Sequence, residues 1–275
     1  MKLRVSVHVV GLNRSLSFTA KTIVRELIRP LSRVPWIQMD TRILLVEPDG
    51  SILNPRTGES GFAELGVPSD LKSIPVEFFS QARATADSER TREALLAKGD
   101  IHGDGGKSLQ NALVYACALR HSWQTRVEES DVVIVVRPDL AITGRLWVGL
   151  RVMSLALKSR IGRPEIYVPA WQNFDGVNDR FAMMSGQIGE NYLSRYDRLD
   201  DWLREGEAFN SERFLAFVLQ ERTVRRNIYA SMYRIRLGGR REVADIAVFR
   251  RSAAWRRTQD SLIHIAKALR ALRKE

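Results

Sequence analysis

Residues 131–143 include the side chains whose types and spacing are best suited to ligand binding or catalysis. Five β-branched residues, Val132–Val136, run directly into Arg137, Pro138 and Asp139. A run that is apolar at every position is typical of a strand buried on both faces of a parallel sheet. Ligands of open α/β sheets bind just beyond the carboxyl ends of such strands. The sequence therefore predicts a binding site where a rigid proline separates a guanidinium group from a carboxylate.

Two chemical roles are open for residues 137–139, which we call the corner after the central strand. Asp139, together with water ligands, would bind Mg²⁺ or Mn²⁺, since hard cations accept few protein carboxylates. Alternatively, Arg137 would neutralise part of the charge of a phosphate ligand. A structural role is also open, in which the Asp139 carboxylate caps the helix that follows. The position at the end of a buried strand favours a role in binding.

A second candidate follows the first predicted strand, residues 3–10. Gly11, Asn13, Arg14 and Ser15 form a turn that leads into a predicted helix. Free backbone N–H groups at the start of such a helix suit a phosphate group. A single glycine is also common in such turns for steric reasons alone. Arg14 and Ser15 strengthen the phosphate hypothesis.

A third candidate is a polar loop near the middle of the chain. Trp171 and Phe174 precede Asn178, Asp179 and Arg180. Loops of this kind carry function when a rigid scaffold positions them. The structural alternative is a turn, because Asn and Asp favour turn geometry.

Glu212 opens a further predicted helix, residues 210–222. A glutamate in the first turn is stabilised by the helix dipole, and this effect alone would explain its presence.

The predicted elements alternate between strands and helices. This order predicts an α/β fold with a mostly parallel central sheet flanked by helices. The predicted strands cover residues 3–10, 42–47, 76–80, 132–136 and 166–168, with a last strand within 227–237. The predicted helices cover 88–98, 109–128, 146–157, 186–204 and 210–222, besides the one after Gly11.

Composition and net charge indicate the class of partner and the cellular compartment. The net charge of +11 and a pI near 10.2 favour an anionic partner. The single cysteine, Cys117, cannot form an internal disulfide, and no apolar segment approaches the ~20 residues that cross a bilayer. The N-terminal residues read as a strand and make a poor signal peptide. We therefore expect a cytoplasmic protein.

The basic excess is heaviest from residue 221 onward, and residues 239–275 are predicted to form a basic helical extension of a domain that covers residues 1–238. Three roles are open for this extension. It forms a solvated helical face, an amphipathic surface that holds the protein on an anionic membrane, or a nucleic-acid patch. The last would need base-reading or stacking elements that the sequence does not show, so no nucleic-acid partner is expected.

Three stretches together resemble GT-A type glycosyltransferases from bacterial and viral capsule and surface-polysaccharide gene clusters. They are GLNRSLSFTAKTIVRELIRPL, the helix with Trp123 that leads into VVIVVRPDL, and GVNDRFAMMSGQIGENYLSRY followed by FNSERFLAFVL. Their order and spacing agree over roughly residues 1–237. The resemblance implies a GT-A-like fold and the transfer of a sugar from a UDP- or GDP-sugar to a hydroxyl of a glycan or lipid-linked acceptor.

The resemblance also implies roles for individual residues. Glu212 would be the general base, with Asp179 as its rival, and Trp171 and Asp175 would contact the acceptor or the sugar. In this family the central strand usually ends in an Asp-x-Asp pair that holds a divalent cation, whereas here Arg137 replaces the first aspartate. Donor binding would fall to Gly11, Asn13, Arg14, Ser15, Arg137, Asp139, Asn178 and Arg180.

Two other functions stay open from the sequence. One is a basic, non-catalytic protein that binds nucleic acid. The other is a degenerate transferase fold that serves as a subunit, in which Asp139→Ala would leave the biological function intact.

Overall fold

The computed structural model describes residues 2–54, 58–63, 66–126, 129–220, 223–243 and 245. Within these residues the strands are β1 (Leu3–Leu12), β2 (Ile37–Glu47), β3 (Ile52–Asn54), β4 (Glu59–Gly61), β5 (Val76–Ser80), β6 (Val132–Val136), β7 (Leu140–Ile142), β8 (Ile166–Pro169), β9 (Phe181–Ser185), β10 (Val224–Ile228) and β11 (Met232–Arg234). The α-helices are α1 (Leu16–Ile23), α2 (Arg29–Ser32), α3 (Gln81–Leu96), α4 (Lys107–Gln124), α5 (Val148–Arg160), α6 (Gly186–Leu193), α7 (Leu199–Glu205) and α8 (Ser211–Leu219). A π-helical turn, Val24–Ile28, joins α1 to α2.

Seven strands form the central sheet in the order β10-β8-β9-β6-β1-β2-β5. Every neighbouring pair is parallel except those of β9, which runs antiparallel to both β6 and β8. The prediction of an α/β fold with a mostly parallel central sheet flanked by helices is therefore confirmed.

Helices cover both faces of the sheet, which is why the central strands are apolar at successive positions. Val132, Ile134 and Val136 of β6 belong to the hydrophobic cluster that includes α1 and α5. The alternate residues Val133 and Val135 belong to the cluster that includes α4, α6 and α8. Alternate side chains of one strand thus enter two separate cores.

The sheet has a topological switch point between β1 and β6. The chain leaves β1 toward β2 on one side and returns to its other side through β6, and both neighbours are parallel to β1. The carboxyl ends of β1 and β6 therefore meet beside a crevice, the usual ligand position in open α/β sheets.

Several elements differ from the sequence-based expectation. β9 was not predicted, and the single last strand expected within 227–237 is two strands, β10 and β11. The helix expected over 186–204 is divided into α6, a 3-10 turn (Arg195–Arg198) and α7. The basic helical extension lies largely outside the described residues.

Cys117 lies in the packing face of α4, where burial raises the pKa of its thiol to about 11. Among the described residues, no helix combines the length and the apolar composition that crossing a bilayer requires.

Candidate functional site

A cavity of about 480 Å³ opens at the switch point. Its walls combine residues that follow β1 and β6 with residues that precede β9, begin α8 and follow β11. Six residues predicted from the sequence line this cavity together: Gly11, Arg14, Arg137, Asp179, Arg180 and Glu212. The corner after β6 and the loop before β9 therefore face the same space.

Asp139 lies behind the cavity wall and is 1% exposed. Its Oδ1 accepts a hydrogen bond from Arg137 Nε at 3.0 Å, and its Oδ2 accepts one from Arg137 Nη2 at 3.0 Å. Arg14 Nη2 donates to the same Oδ2. Burial alone would raise the pKa of this carboxyl, but the charges of Arg137 and Arg14 hold it well below its usual range. Asp139 is therefore a permanently ionised anchor for two guanidinium groups.

This arrangement does not fit a metal ligand. Both oxygens of Asp139 already accept guanidinium N–H groups, so a divalent cation there would lie beside two fixed positive charges. The hypothesis that Asp139 holds Mg²⁺ or Mn²⁺ is corrected accordingly. No cluster of three or more His, Cys, Asp or Glu suited to a metal ion occurs within the described part of the chain.

Guanidinium groups outnumber carboxylates in the lining of the cavity, and we call the arginines of this lining the arginine wall. Among the described residues, five arginines line the cavity, Arg14, Arg137, Arg180, Arg234 and Arg236, against three carboxylates, Asp179, Glu212 and Glu242. Each guanidinium offers five N–H donors, and the buried carboxylates behind the wall accept only some of them. The cavity surface is therefore positively charged and rich in donors.

Buried carboxylates fix the orientation of these arginines. Asp245, which is fully buried, accepts from Arg234 Nε at 2.9 Å and Nη2 at 2.9 Å, and lies 3.3 Å from Arg180 Nη1. Glu59 Oε2 lies 3.3 Å from Arg14 Nη1 and 3.2 Å from Arg236 Nη1. Burial and the nearby charge of Arg234 lower the pKa of Arg180 to about 10, which still leaves it charged at neutral pH.

Arg234 and Arg236 were missed as site residues. They reach the cavity because β11 pairs antiparallel with β7, the short strand directly after the β6 corner. The backbone N–H of Ile235 donates to the Asp139 carbonyl at 2.7 Å, and Ser15 Oγ donates to the Ile235 carbonyl at 2.7 Å. The Arg-Ile-Arg alternation was the available signal, because residues two apart share one face of a strand.

Glu212 lines the same cavity from the first turn of α8. Asn210 caps this helix by accepting from the Arg213 backbone N–H at 2.9 Å, and Ser211 Oγ donates to Glu212 Oε2 at 2.8 Å. Burial, and then the neighbouring charge of Asp179, raise the pKa of Glu212 above its ordinary value. A carboxylate in this condition binds a proton more readily than one in water.

The loop before β9 is fixed against the start of α8. Val177 N donates to the Glu212 carbonyl at 2.9 Å, and a Cβ added at Gly176 would lie 2.1 Å from the same carbonyl. Only glycine permits this approach, which brings Asp179 toward Glu212. Asn178 stabilises the loop internally, since its Nδ2 donates to the Trp171 carbonyl at 2.9 Å.

Besides Asp139, five predicted residues lie outside the cavity wall: Asn13, Ser15, Trp171, Asp175 and Asn178. Trp171 is 3% exposed and belongs to the hydrophobic cluster of α1 and α5, so its ring has no open face for a sugar. The hypothesis that it stacks on a sugar is corrected for this reason. The aromatic side chain of this loop that does line the cavity is Phe174, which is largely exposed.

Tyr115 of α4 is a further cavity residue that the sequence did not reveal. Its hydroxyl donates to the Asp179 carbonyl at 3.4 Å, and the guanidinium carbons of Arg137 and Arg195 lie 5.5 and 5.1 Å from its ring centre. Burial raises the pKa of its phenol well above the ordinary value, so it stays a neutral donor. It links the arginine wall to the loop that carries Asp179.

No protein-family model matches the chain, and no curated protein matches it. Among solved structures, the chain is similar to mouse xyloside xylosyltransferase 1 in its apo form, with 11% sequence identity and a TM-score of 0.44. The match covers 82% of this chain and 84% of that chain.

Proposed function

We propose that this protein is a glycosyltransferase that moves a sugar from a nucleotide-sugar donor to an acceptor hydroxyl. The observation that carries the proposal is the pairing of two features in one cavity at the switch point. Five guanidinium groups line the cavity, and a carboxylate of raised pKa lines it with them. A phosphorylated donor and a proton transfer from an acceptor each need one of these features.

The arginine wall suits the diphosphate of the donor. Guanidinium groups bind phosphate oxygens in a planar, bidentate geometry, and they do so best when their orientation is fixed in advance. Arg14, Arg137, Arg180, Arg234 and Arg236 would hold the diphosphate and stabilise the charge that it gains on leaving. Asp139 would act as a positioning residue that orients Arg14 and Arg137.

Glu212 would accept the proton of the acceptor hydroxyl. As the acceptor oxygen forms its bond to the anomeric carbon, the bond from that carbon to the phosphate oxygen breaks. The electron pair leaves with the diphosphate, and the proton moves to the carboxylate. Asp179 would hold a sugar hydroxyl beside Glu212, and it remains the rival base.

The residues present do not fit a divalent cation at the β6 corner. The fixed guanidinium groups supply the positive charge that such a cation would otherwise bring. We accordingly expect nucleotide binding to persist in EDTA.

The cellular role that we propose is the synthesis of a surface or capsular polysaccharide or glycolipid. It rests on the resemblance of the RPDL and NDRFA segments, residues 137–140 and 178–182, to transferases of such gene clusters. A UDP- or GDP-sugar would be the donor, and a glycan or lipid-linked hydroxyl the acceptor.

Calorimetric titration of the protein with UDP, GDP and their sugars, with Mg²⁺ and with EDTA, tests the proposal. We expect at least one nucleotide to bind, and Arg137→Ala and Arg234→Ala to weaken it by roughly 10–100-fold, because each removes a charge-assisted hydrogen bond worth about 1.5–3 kcal/mol. Arg163→Ala is the matched control, since Arg163 is exposed and lies outside the cavity wall. Salt-dependent binding of DNA or RNA without any nucleotide response would contradict the proposal and favour a nucleic-acid-binding protein.

A further inference from the structure

A second cavity, of about 570 Å³, lies between the chain that enters β2 and the start of α5. Its walls are mainly apolar, and they continue into an exposed stripe along α5. Together these side chains form what we call the α5 face, which consists of Trp36, Trp147, Leu150, Met153, Leu157 and Ile161. All six are exposed, so this face is an apolar surface open to solvent.

The sequence of α5 is apolar on two opposite sides. Val148, Val152, Leu155 and Ala156 are buried against the sheet. Leu150, Met153 and Leu157 lie about half a turn away, at the spacing that forms one stripe in a helix of 3.6 residues per turn. Leu157 is 55% exposed, and Ile161, just beyond the helix, is 68% exposed. A surface helix of a soluble domain normally carries polar residues on this side.

Trp147 is held outward by an unfavourable backbone. It precedes α5 with φ at 50°, a left-handed conformation that large side chains adopt at a cost. Its side chain is nevertheless 61% exposed, so burial does not offset that cost. A strained backbone conformation that packing does not explain indicates a functional role for the residue.

Basic side chains occur in the lining of the second cavity and on the helical segment that contains α1 and α2. Arg25, Arg29 and Arg33 are exposed and follow one another at four-residue spacing along the helical segment that contains α1 and α2. Arg33 and Arg145 line the second cavity, and the guanidinium of Arg145 lies 5.9 Å from the Trp147 ring centre.

Of the described residues that line this cavity, one is acidic, Glu26, and its carboxylate is 2.6 Å from Arg25 Nε. The lining of the second cavity is therefore net positive.

We propose that the α5 face docks onto the surface of an anionic lipid bilayer. Tryptophan rings suit the membrane interface, the leucines and isoleucine would enter the acyl boundary, and the arginines would meet anionic head groups. A second copy of the chain is a poor occupant, because two identical basic surfaces would repel each other. The proposed docking surface is formed by residues within 25–36 and 145–161 and is separate from the arginine-lined cavity.

Co-sedimentation of the full-length protein with vesicles tests this docking. We expect binding to vesicles that contain phosphatidylglycerol and little binding to pure phosphatidylcholine. Arg33→Glu with Arg145→Glu should weaken binding by about ten-fold or more, since each basic residue near an anionic surface contributes about five-fold. Leu157→Ser with Ile161→Ser, tested separately, should also weaken binding by about ten-fold or more, because it removes apolar side chains that would enter the acyl boundary. These exposed positions allow substitution without loss of the core.

Phe62→Ser is the matched control, because Phe62 is 78% exposed and lies outside the α5 face. It should bind vesicles as the unaltered protein does. Unchanged binding by both double variants would overturn the proposal, as would equal binding to neutral vesicles. A dimer seen in sedimentation velocity that Leu157→Ser with Ile161→Ser dissociates would also overturn it, since a second copy would then cover the face.

Discussion

Two carboxylates of the site show how local surroundings set opposite behaviour for similar groups. Asp139 accepts hydrogen bonds from Arg14 and Arg137, which hold its pKa well below the usual range. Glu212 is buried beside Asp179, and its pKa is raised. The first group therefore stays ionised and orients arginines, whereas the second is suited to accept a proton.

Glu212→Gln should remove sugar transfer while nucleotide binding persists. We expect kcat to fall by about 10²–10⁴-fold, the usual contribution of a general base, with the Kd for the nucleotide nearly unchanged. In the unaltered protein kcat should fall as the pH drops through the raised pKa, because the base becomes protonated. Steady-state kinetics against pH would show this acidic limb, and the variant should lack it.

The same substitution should stabilise the fold at neutral pH. A carboxyl whose folded-state pKa lies above its unfolded value opposes folding once the pH exceeds that unfolded value. Thermal unfolding should therefore show a higher Tm for Glu212→Gln at pH 7 and no difference at pH 3. A variant that lost nucleotide binding in parallel with kcat would contradict the role as base, and Asp179→Asn would then be the next variant to assay.

Asp139→Asn should be strongly destabilising, since it leaves the buried Arg14 and the half-buried Arg137 without their shared carboxylate. Breaking a buried ion pair from one side typically costs about 3–5 kcal/mol. The folded-state pKa of Asp139 is depressed, so its contribution is present above the unfolded pKa and is lost as the pH falls. Urea unfolding at pH 7 and pH 3 should show a large deficit at pH 7 that narrows at pH 3.

Asp175→Asn is the control for this experiment, because Asp175 is exposed and lies outside the cavity wall. Its effect should stay within about 0.5 kcal/mol, as for most surface substitutions. Equal stability of the two variants would show that the arginine cluster does not need the Asp139 charge.

At the scale of elements, strong local patterns were predictable from the sequence. The alternating residues of β1 and the β-branched run of β6 identify both strands, and their ends place Gly11, Arg14 and Arg137 beside one crevice. β9 escaped prediction because FAMMS is short, carries no β-branched residue and directly follows turn-forming residues.

Non-local pairing accounts for the other omissions. Nothing near Arg234 in the sequence indicates that β11 pairs with β7, more than 80 residues earlier. That pairing brings Arg234 and Arg236 into the lining of the cavity. Part of the basic region that begins at residue 221 therefore belongs to the site. Trp171 was misassigned for a similar reason, since periodicity does not tell whether a loop aromatic faces a cavity or the core.

The contact of the β9-preceding loop with α8 is testable through Gly176. Gly176→Ala would place a Cβ 2.1 Å from the Glu212 carbonyl, so the loop or the helix must move. We expect a loss of about 1–3 kcal/mol, as for other overpacked sites, and a larger fall in transfer rate than in nucleotide affinity. Thermal unfolding and steady-state kinetics would measure the two effects.

Gly149→Ala, within α5, is the matched substitution. Its added Cβ would lie 3.9 Å from Val34, an ordinary van der Waals distance. It should be neutral or slightly stabilising, since alanine favours helix more than glycine does. If Gly176→Ala behaved in the same way, the close contact would have no role in holding Asp179 near Glu212.

At the scale of the whole molecule, the cavity is assembled from residues between Gly11 and Asp245. Glu242 lies 2.7 Å from Arg236 Nη2, and fully buried Asp245 holds Arg234 and Arg180. A domain boundary after residue 238 stays a prediction, yet both of these carboxylates come after it. The unit that binds the ligand should therefore extend at least to residue 245.

Two truncations separate these possibilities. A chain that ends after residue 238 loses both carboxylates. Arg180 and Arg234 then lose their ion pairs with Asp245, and Arg236 loses its ion pair with Glu242 and keeps the one with Glu59. We expect this chain to lose the nucleotide response in calorimetry and to unfold at a lower temperature, whereas a chain that ends after residue 245 should keep both properties. Glu242→Gln with Asp245→Asn in the full chain should have the same effects on nucleotide binding and unfolding temperature as ending the chain after residue 238. Nucleotide binding by the chain of 238 residues would instead show that the arginine wall forms without these carboxylates.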